Sequence, residues 1–270
     1  MSTNLKAGII GLGAMGYQMA RHMTSKGIEV CGLDMNPATN EKAAAVGVRI
    51  AANIAEIGAA SDVVIVMVAT DAQVEDVICN SGLLKTMKAG SVICITSSTS
   101  METAQKMEAI GAQHNIGVLD TPVVLGQEAA DNGTLTIFCG GPEAAFNKAK
   151  PVMQAFGSNV MHVGAPGMGQ LTKTINNMLL WACISANYES LKFAKAAGAD
   201  VPKMIAALQH SSGANWSLSR WGKSTGKWAE KDMDVALELA QDVKTAVPLA
   251  ALVDQLMKGM NQEKMKALLV

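Results

Sequence analysis

Lys173 and Asn177 stand four residues apart in the segment Gly167-Met168-Gly169-Gln170-Leu171-Thr172-Lys173-Thr174-Ile175-Asn176-Asn177. On a helix that spacing puts both side chains on one face, where they can converge. An ammonium beside an amide suits carbonyl chemistry. The lysine can donate a proton to a developing alkoxide, or accept one from an alcohol once desolvation lowers its pKa. The amide can hold and orient the same oxygen. Taken alone, the pair reads more readily as a solvated helix lysine and a locally bonded asparagine.

A second constellation opens the chain. Gly11-Leu12-Gly13-Ala14-Met15-Gly16 follows a strand-like run directly and precedes a helix-like one. Gly11 permits a tight turn, Gly13 lets the backbone approach a pyrophosphate, and Gly16 lets the helix pack close to the strand. The helix start then offers unpaired N–H groups and a partial positive charge to the phosphates. Asp34 ends the next strand-like run, 18 residues beyond Gly16. A carboxylate there accepts hydrogen bonds from ribose hydroxyls and repels a 2′-phosphate. The following Met35, Asn36 and Pro37 supply no cation for such a phosphate. The expected cofactor is therefore NAD rather than NADP.

These groups need a frame. Apolar runs predict strands at 7–10, 28–33, 63–68, 91–95, 117–119, 135–139 and 159–163, with Ala-rich helical stretches such as 14–25 and 40–46 between them. Such alternation predicts an α/β fold: a Rossmann-type domain with a largely parallel sheet covered on both faces. After Gly169 the strand signal ends. Residues 170–197 lack Pro and Gly, and Ile175, Leu179, Ala182, Ala186 and Leu191 recur at helical spacing, which predicts one long helix. Further helices are expected at 201–209, 235–241 and 248–260. The expected division is a dinucleotide-binding domain over 1–164 and an all-α domain over 165–270, the latter serving substrate binding and oligomerisation.

Composition excludes several classes. The 270 residues are 49% hydrophobic and carry a formal net charge of -1, so neither nucleic acid nor an anionic membrane is an expected partner. The longest apolar stretch, 63–69, is far short of the roughly 20 residues that span a bilayer. The opening residues show no charged segment followed by a hydrophobic one, so no signal peptide is expected. Five cysteines without a CxxC pair read as small buried hydrophobes in a reducing compartment, hence a cytoplasmic protein. No metal site is read.

The motifs also come in a telling order. GLGAMGYQMARHM, LDTPV followed by GTLTIFCGG, GMGQLTKTINN and KDMDVALELA together resemble the β-hydroxyacid dehydrogenases, over nearly the whole chain. That family includes 3-hydroxyisobutyrate dehydrogenase and tartronate semialdehyde reductase, with 6-phosphogluconate dehydrogenase more distant. The resemblance implies hydride transfer between NAD(H) and a small β-hydroxy acid or its semialdehyde. Lys173 would be the general acid/base and Asn177 its neighbour. Lys231 would close the nicotinamide end of the cleft, and Met67, Val68 and Ser98 would line the cofactor. A homodimer or homotetramer is also implied.

Departures from the family pattern fall in the substrate loop. The usual DxPVSGG reads here Asp120-Thr121-Pro122-Val123-Val124-Leu125-Gly126, so a hydroxyl donor is lost at Val124 and a bulky side chain enters at Leu125. The family's DxST reads Ile95-Thr96-Ser97-Ser98, with Ser98 able to keep the hydrogen bond of the usual Thr. Pro122, Val123, Val124, Leu125, Gly126 and Trp216 are the expected substrate contacts, for a substrate less polar or differently oriented than 3-hydroxyisobutyrate. Two rivals carry different expectations. An imine reductase shares the architecture but usually lacks the lysine. A non-catalytic NAD-binding scaffold would tolerate the altered loop.

Overall fold

Runs of β-branched residues buried on both sides build the first part of the chain. In the computed structural model, which describes residues 4–270, the elements alternate as β1 (Ala7–Ile10), α1 (Ala14–Ser25), β2 (Val30–Leu33), α2 (Pro37–Ala44), β3 (Arg49–Ile50), α3 (Ile54–Ala60), β4 (Val63–Val66), α4 (Asp71–Glu75), α5 (Leu83–Thr86) and β5 (Val92–Ile95). They continue through α6 (Met101–Gln113), β6 (Gly117–Asp120), β7 (Val123–Val124), α7 (Gly126–Asn132), β8 (Leu135–Gly140), α8 (Glu143–Met153) and β9 (Gly157–Gly164).

The strands form one sheet in the order β3-β2-β1-β4-β5-β6-β8-β7, with β9 against β8. From β3 to β6 every pairing is parallel. β8 runs antiparallel to β6 and β7, and β9 runs parallel to β8. The chain winds outward from β1 in one direction and from β4 in the other. The order reverses between those two strands, and open α/β sheets take their ligands at that edge, beyond the carboxyl ends.

Alternation along each strand feeds two apolar layers. Ile9, Val63, Ile65 and Cys94 point into one layer, with Met19, Met23 and Phe156. Ile10, Val64, Val66, Ile93 and Ile95 point into the other, with Ile57, Leu83 and Met107. A strand with both sets of side chains buried is what continuous apolar runs specify in a parallel sheet.

Several elements depart from the sequence expectation, some for local reasons. The 63–68 run stops pairing at Val66: the Met67 amide closes the last rung on the Ile10 carbonyl (2.8 Å), and the Val68 amide turns instead to Ser97 Oγ (2.8 Å). The second helix starts at Pro37 rather than residue 40: Asn36 accepts from the Ala38 amide, and proline suits the first turn. β3 and β7 are two-residue strands, too short to carry an alternation signal.

The remaining elements are helical: α9 (Met168–Ala196), α10 (Val201–Leu208), α11 (Trp216–Ser219), α12 (Ala229–Asp242), α13 (Pro248–Lys258) and α14 (Gln262–Lys266). By its contacts the chain divides into two compact units, Met1–Lys173 and Thr174–Val270. The second has its own core, in which Trp181, Ile184 and Leu191 meet Leu218, Trp221, Met233, Val253 and Met257. Among the described residues no helix is long and apolar enough to cross a membrane.

Candidate functional site

The glycine turn joins β1 to α1. Gly11 has φ +91°, and a Cβ there would lie 2.1 Å from the Met67 carbonyl oxygen; one on Gly16 would lie 2.0 Å from the Gly11 oxygen. Side chains at either place would push the turn off β4 or α1 off the turn. Asp34 ties the turn to β2: its carboxylate accepts from the Leu12 amide (2.7 Å) and the Asn36 amide (2.9 Å). Asn40 brackets it in turn, accepting from the Asp34 amide and donating to the Asp34 carbonyl, both at 2.8 Å. Leu12 itself is buried in the core beside β1.

The turn passes a direct test of fit for a dinucleotide. A Cβ on Gly13 would meet nothing within 4 Å, so the backbone there borders open space. α1 starts without a side-chain cap and with no acidic residue in its first turn, so no side chain of the helix itself competes with or repels a diphosphate. The Asp34 carboxylate spends only about half of its lone-pair directions on amides, which leaves acceptors for ribose hydroxyls.

Next to this turn lie the carboxyl ends of β4 and β5. The Ser97 hydroxyl accepts from the Val68 amide (2.8 Å) and joins the two strand ends. Thr96 and Thr121 share a buried hydroxyl–hydroxyl bond of 2.9 Å behind it. Ser98, the next residue, is exposed.

β6 delivers Asp120 to the start of α9. This buried carboxylate accepts from the Gly167 amide (Oδ1, 2.8 Å) and the Gln170 amide (Oδ2, 2.8 Å). Burial pushes its carboxyl above the usual range, and those amides work against the shift. Gly169 must be glycine, since a Cβ would lie 2.6 Å from both Asp120 Oδ2 and the Phe138 carbonyl oxygen. One turn into the helix, the Lys173 amine donates to Ser98 Oγ at 2.6 Å. The structure thus brings together two residues, Lys173 and Ser98, that lie 75 positions apart in sequence.

Other expected site residues lie in the second unit. Asn177 is on α9 four residues after Lys173, and its Oδ1 accepts from Asn176 Nδ2 at 3.1 Å. Trp216 is half-exposed at the start of α11, with the Arg220 guanidinium 4.9 Å from its ring centre. Its neighbours Asn215 and Ser217 are engaged locally: Asn215 caps α11 through the Leu218 amide (2.9 Å), and Asn187 donates to both side chains. Lys231 is exposed in the first turn of α12.

Two family models cover the chain: the NAD binding domain of 6-phosphogluconate dehydrogenase matches residues 6–164, and the NAD-binding of NADP-dependent 3-hydroxyisobutyrate dehydrogenase matches 167–268. The 2-(hydroxymethyl)glutarate dehydrogenase of Eubacterium barkeri is 32% identical, over 96% of this chain and 90% of that protein. The chain belongs to the β-hydroxyacid dehydrogenase family. It is an NAD-dependent oxidoreductase. A solved 3-hydroxyisobutyrate dehydrogenase from Salmonella typhimurium superimposes with TM-score 0.80 at 29% identity, over 98% of this chain and 99% of that one. An imine reductase from Pseudomonas sp. shares the fold alone, with TM-score 0.64 at 18% identity over 98% and 99% of the two chains.

The segment 122–126, expected from the sequence to meet the substrate, is part strand. Val123 pairs with Ile137 and Val124 with Thr136, so Pro122, Val123 and Val124 are buried in the sheet and only Leu125 and Gly126 face outward. Leu125 has φ +81°, a left-handed conformation, with 37% of its surface exposed. The Gln127 side chain donates to the Ala14 carbonyl (3.3 Å), which sets the outward part of this loop beside the glycine turn. The sequence alone assigns no role to Asp120 or Gln170. Their signal was a carboxylate at the end of an apolar run and a lone amide inside GMGQ, both legible only once β6 and α9 are neighbours.

Proposed function

We propose that the chain catalyses reversible hydride transfer between NAD(H) and a small β-hydroxy acid or its semialdehyde, with Lys173 as general acid/base. The observation that carries this reading is the Lys173–Ser98 contact of 2.6 Å, which aims the amine at the segment following β5, beyond the carboxyl ends of the strands. Family membership supports the reaction class. The names of both dehydrogenases above describe acids with the hydroxyl β to a carboxylate, so the same substrate class is assigned here.

When bound, the nicotinamide accepts or returns the hydride. The chain's own residues handle the proton and the geometry. In oxidation the neutral Lys173 amine takes the hydroxyl proton as the C–H bond gives up its electron pair; in reduction the ammonium returns that proton to the new alkoxide. Ser98 orients the amine by accepting its N–H, and Asn177 is assigned to the same substrate oxygen. The dinucleotide is assigned to Gly11, Leu12, Gly13, Ala14, Met15 and Gly16, with Asp34 on the adenosine ribose and Met67, Val68 and Lys231 as further contacts. The backbone of Pro122, Val123, Val124, Leu125 and Gly126 is assigned to positioning the substrate, and Trp216 to its pocket.

Lys173→Ala tests the reading. It should lower turnover by ~10²–10⁴-fold while NADH still binds, as read by fluorescence titration and a panel of β-hydroxy acids. Near-normal turnover would reject the role. We assign a homodimer or homotetramer as well, because α13 leaves Leu249, Leu252 and Leu256 exposed at helical spacing. A monomer by light scattering would remove that assignment. Five unpaired cysteines support a reducing, cytoplasmic setting.

A further inference from the structure

We propose that Gln170 is a positioning residue for Lys173: it clamps the backbone on both sides of Ser98 and so holds that hydroxyl against the lysine amine. The proposal rests on the reading of Lys173 as acid/base. Gln170 is buried, with 4% of its surface exposed. Its side-chain Nε2 donates to the Ser97 carbonyl at 2.8 Å, and its Oε1 accepts from the Thr99 amide at 3.2 Å. Ser98, the residue in between, is the one that Lys173 reaches.

The clamp is anchored at both ends. The Gln170 amide is held by Asp120, and Ser97 is fixed from the opposite side through its hydroxyl and the Val68 amide. Gln170 and Lys173 are three apart on α9 and therefore share a face, so one short stretch of helix carries both the clamp and the amine. Glutamine suits the task because an amide offers a donor and an acceptor at one end. A glutamate would set an acceptor against the Ser97 carbonyl. An apolar side chain would leave both backbone groups buried and unpaired. Ser98 is itself exposed, so no packing of its side chain holds its backbone in register.

The test compares Gln170→Met, which matches the length of glutamine, with Gln170→Glu, which keeps the acceptor for Thr99 and sets a second acceptor against the Ser97 carbonyl. Each is made alone and with Ser98→Ala, beside Lys173→Ala. Four quantities are read: NADH affinity by fluorescence, kcat and KM on a hydroxy acid that the parent enzyme turns over, and the ¹³C resonance of reductively methylated Lys173. That resonance is assigned by its absence in Lys173→Ala. Displacement of an oriented catalytic group by about an ångström costs ~10²-fold, so kcat should fall ~10–100-fold in both variants. KM and NADH affinity should stay within a few-fold. The loss should largely vanish in the Ser98→Ala background, because coupled residues are not additive.

The Lys173 resonance should shift alike in Gln170→Met and Ser98→Ala, with or without turnover. An unchanged resonance and kcat, or losses that multiply in the double variants, would overturn the clamp. The two readings fail separately. An active Lys173→Ala removes the acid/base role. An inactive one beside normal Gln170 variants removes only the clamp.

Discussion

The Asp120 carboxylate lies 2.8 Å from the Gln170 amide nitrogen, so the end of β6 and the first turn of α9 are joined by a charge-assisted bond inside the protein. Its second oxygen holds the Gly167 amide at the same distance. Asp120→Asn turns one acceptor into a donor facing an N–H, and a buried mismatch of that kind costs ~1–3 kcal/mol. Urea unfolding should register the loss.

The same carboxylate has a signed pH dependence. Burial raises its folded value above the unfolded one, so between the two values the folded state binds more protons. Its contribution to stability therefore falls as pH rises from the usual carboxylate range through the raised value, and stays level above it. The difference in unfolding free energy between the parent chain and Asp120→Asn, followed from about pH 4 to 7, should slope that way. An upward slope would show that the amides outweigh burial.

Glycines in the turn should separate folding from binding. Gly13→Ala adds a Cβ where nothing lies within 4 Å, so the melt should stay within ~0.5 kcal/mol of the parent. The methyl enters the space assigned to the diphosphate, and NADH affinity should fall at least about tenfold, a loss of ~1.4 kcal/mol. Gly11→Ala meets the Met67 carbonyl and should fail to fold stably. Undiminished NADH binding by Gly13→Ala would move the diphosphate elsewhere.

Leu125 occupies a backbone conformation that costs most L-residues ~1–2 kcal/mol. Glycine relieves that strain but adds roughly 0.5–1 kcal/mol of chain freedom to the unfolded state. Leu125→Gly should therefore be neutral, or up to about 1 kcal/mol more stable, although it deletes an apolar side chain. A clear loss in denaturant melts would mean that the leucine is held by packing.

The thiols should divide by burial. Burial pushes Cys139 up to about 12 and Cys94 well above its usual value, and Cys31 is raised for the same reason. A disulfide reagent at pH 8 should modify Cys79, which is exposed, and Cys183, which is partly so, and spare the other three until denaturant is added. Rapid modification of all five in the native protein would contradict the two buried layers of the sheet.

Much of this was legible from residues alone. β1 and α1 fall where the apolar run and the glycines put them, and the long helix starts two residues before the expected one. Those signals are local: a run, a turn, a period. What escaped depends on contacts between distant segments. Nothing in the sequence near Ser98 says that Lys173 will reach it, nor that Gln170 will grip the peptide groups flanking it. Leu125 could be read as a bulky replacement, but its left-handed backbone follows from the tight passage between β7 and α7, not from its side chain.

Asp34 has a consequence for anyone wishing to redirect this chain toward NADP. The carboxylate that would repel the extra phosphate also holds the Leu12 amide. Exchanging it for a cation would remove an unwanted charge and a structural acceptor in one stroke, leaving the loop between β1 and α1 loose. A successful redesign would have to supply that lost acceptor from another side chain, so cofactor preference in this scaffold should drift only by paired substitutions.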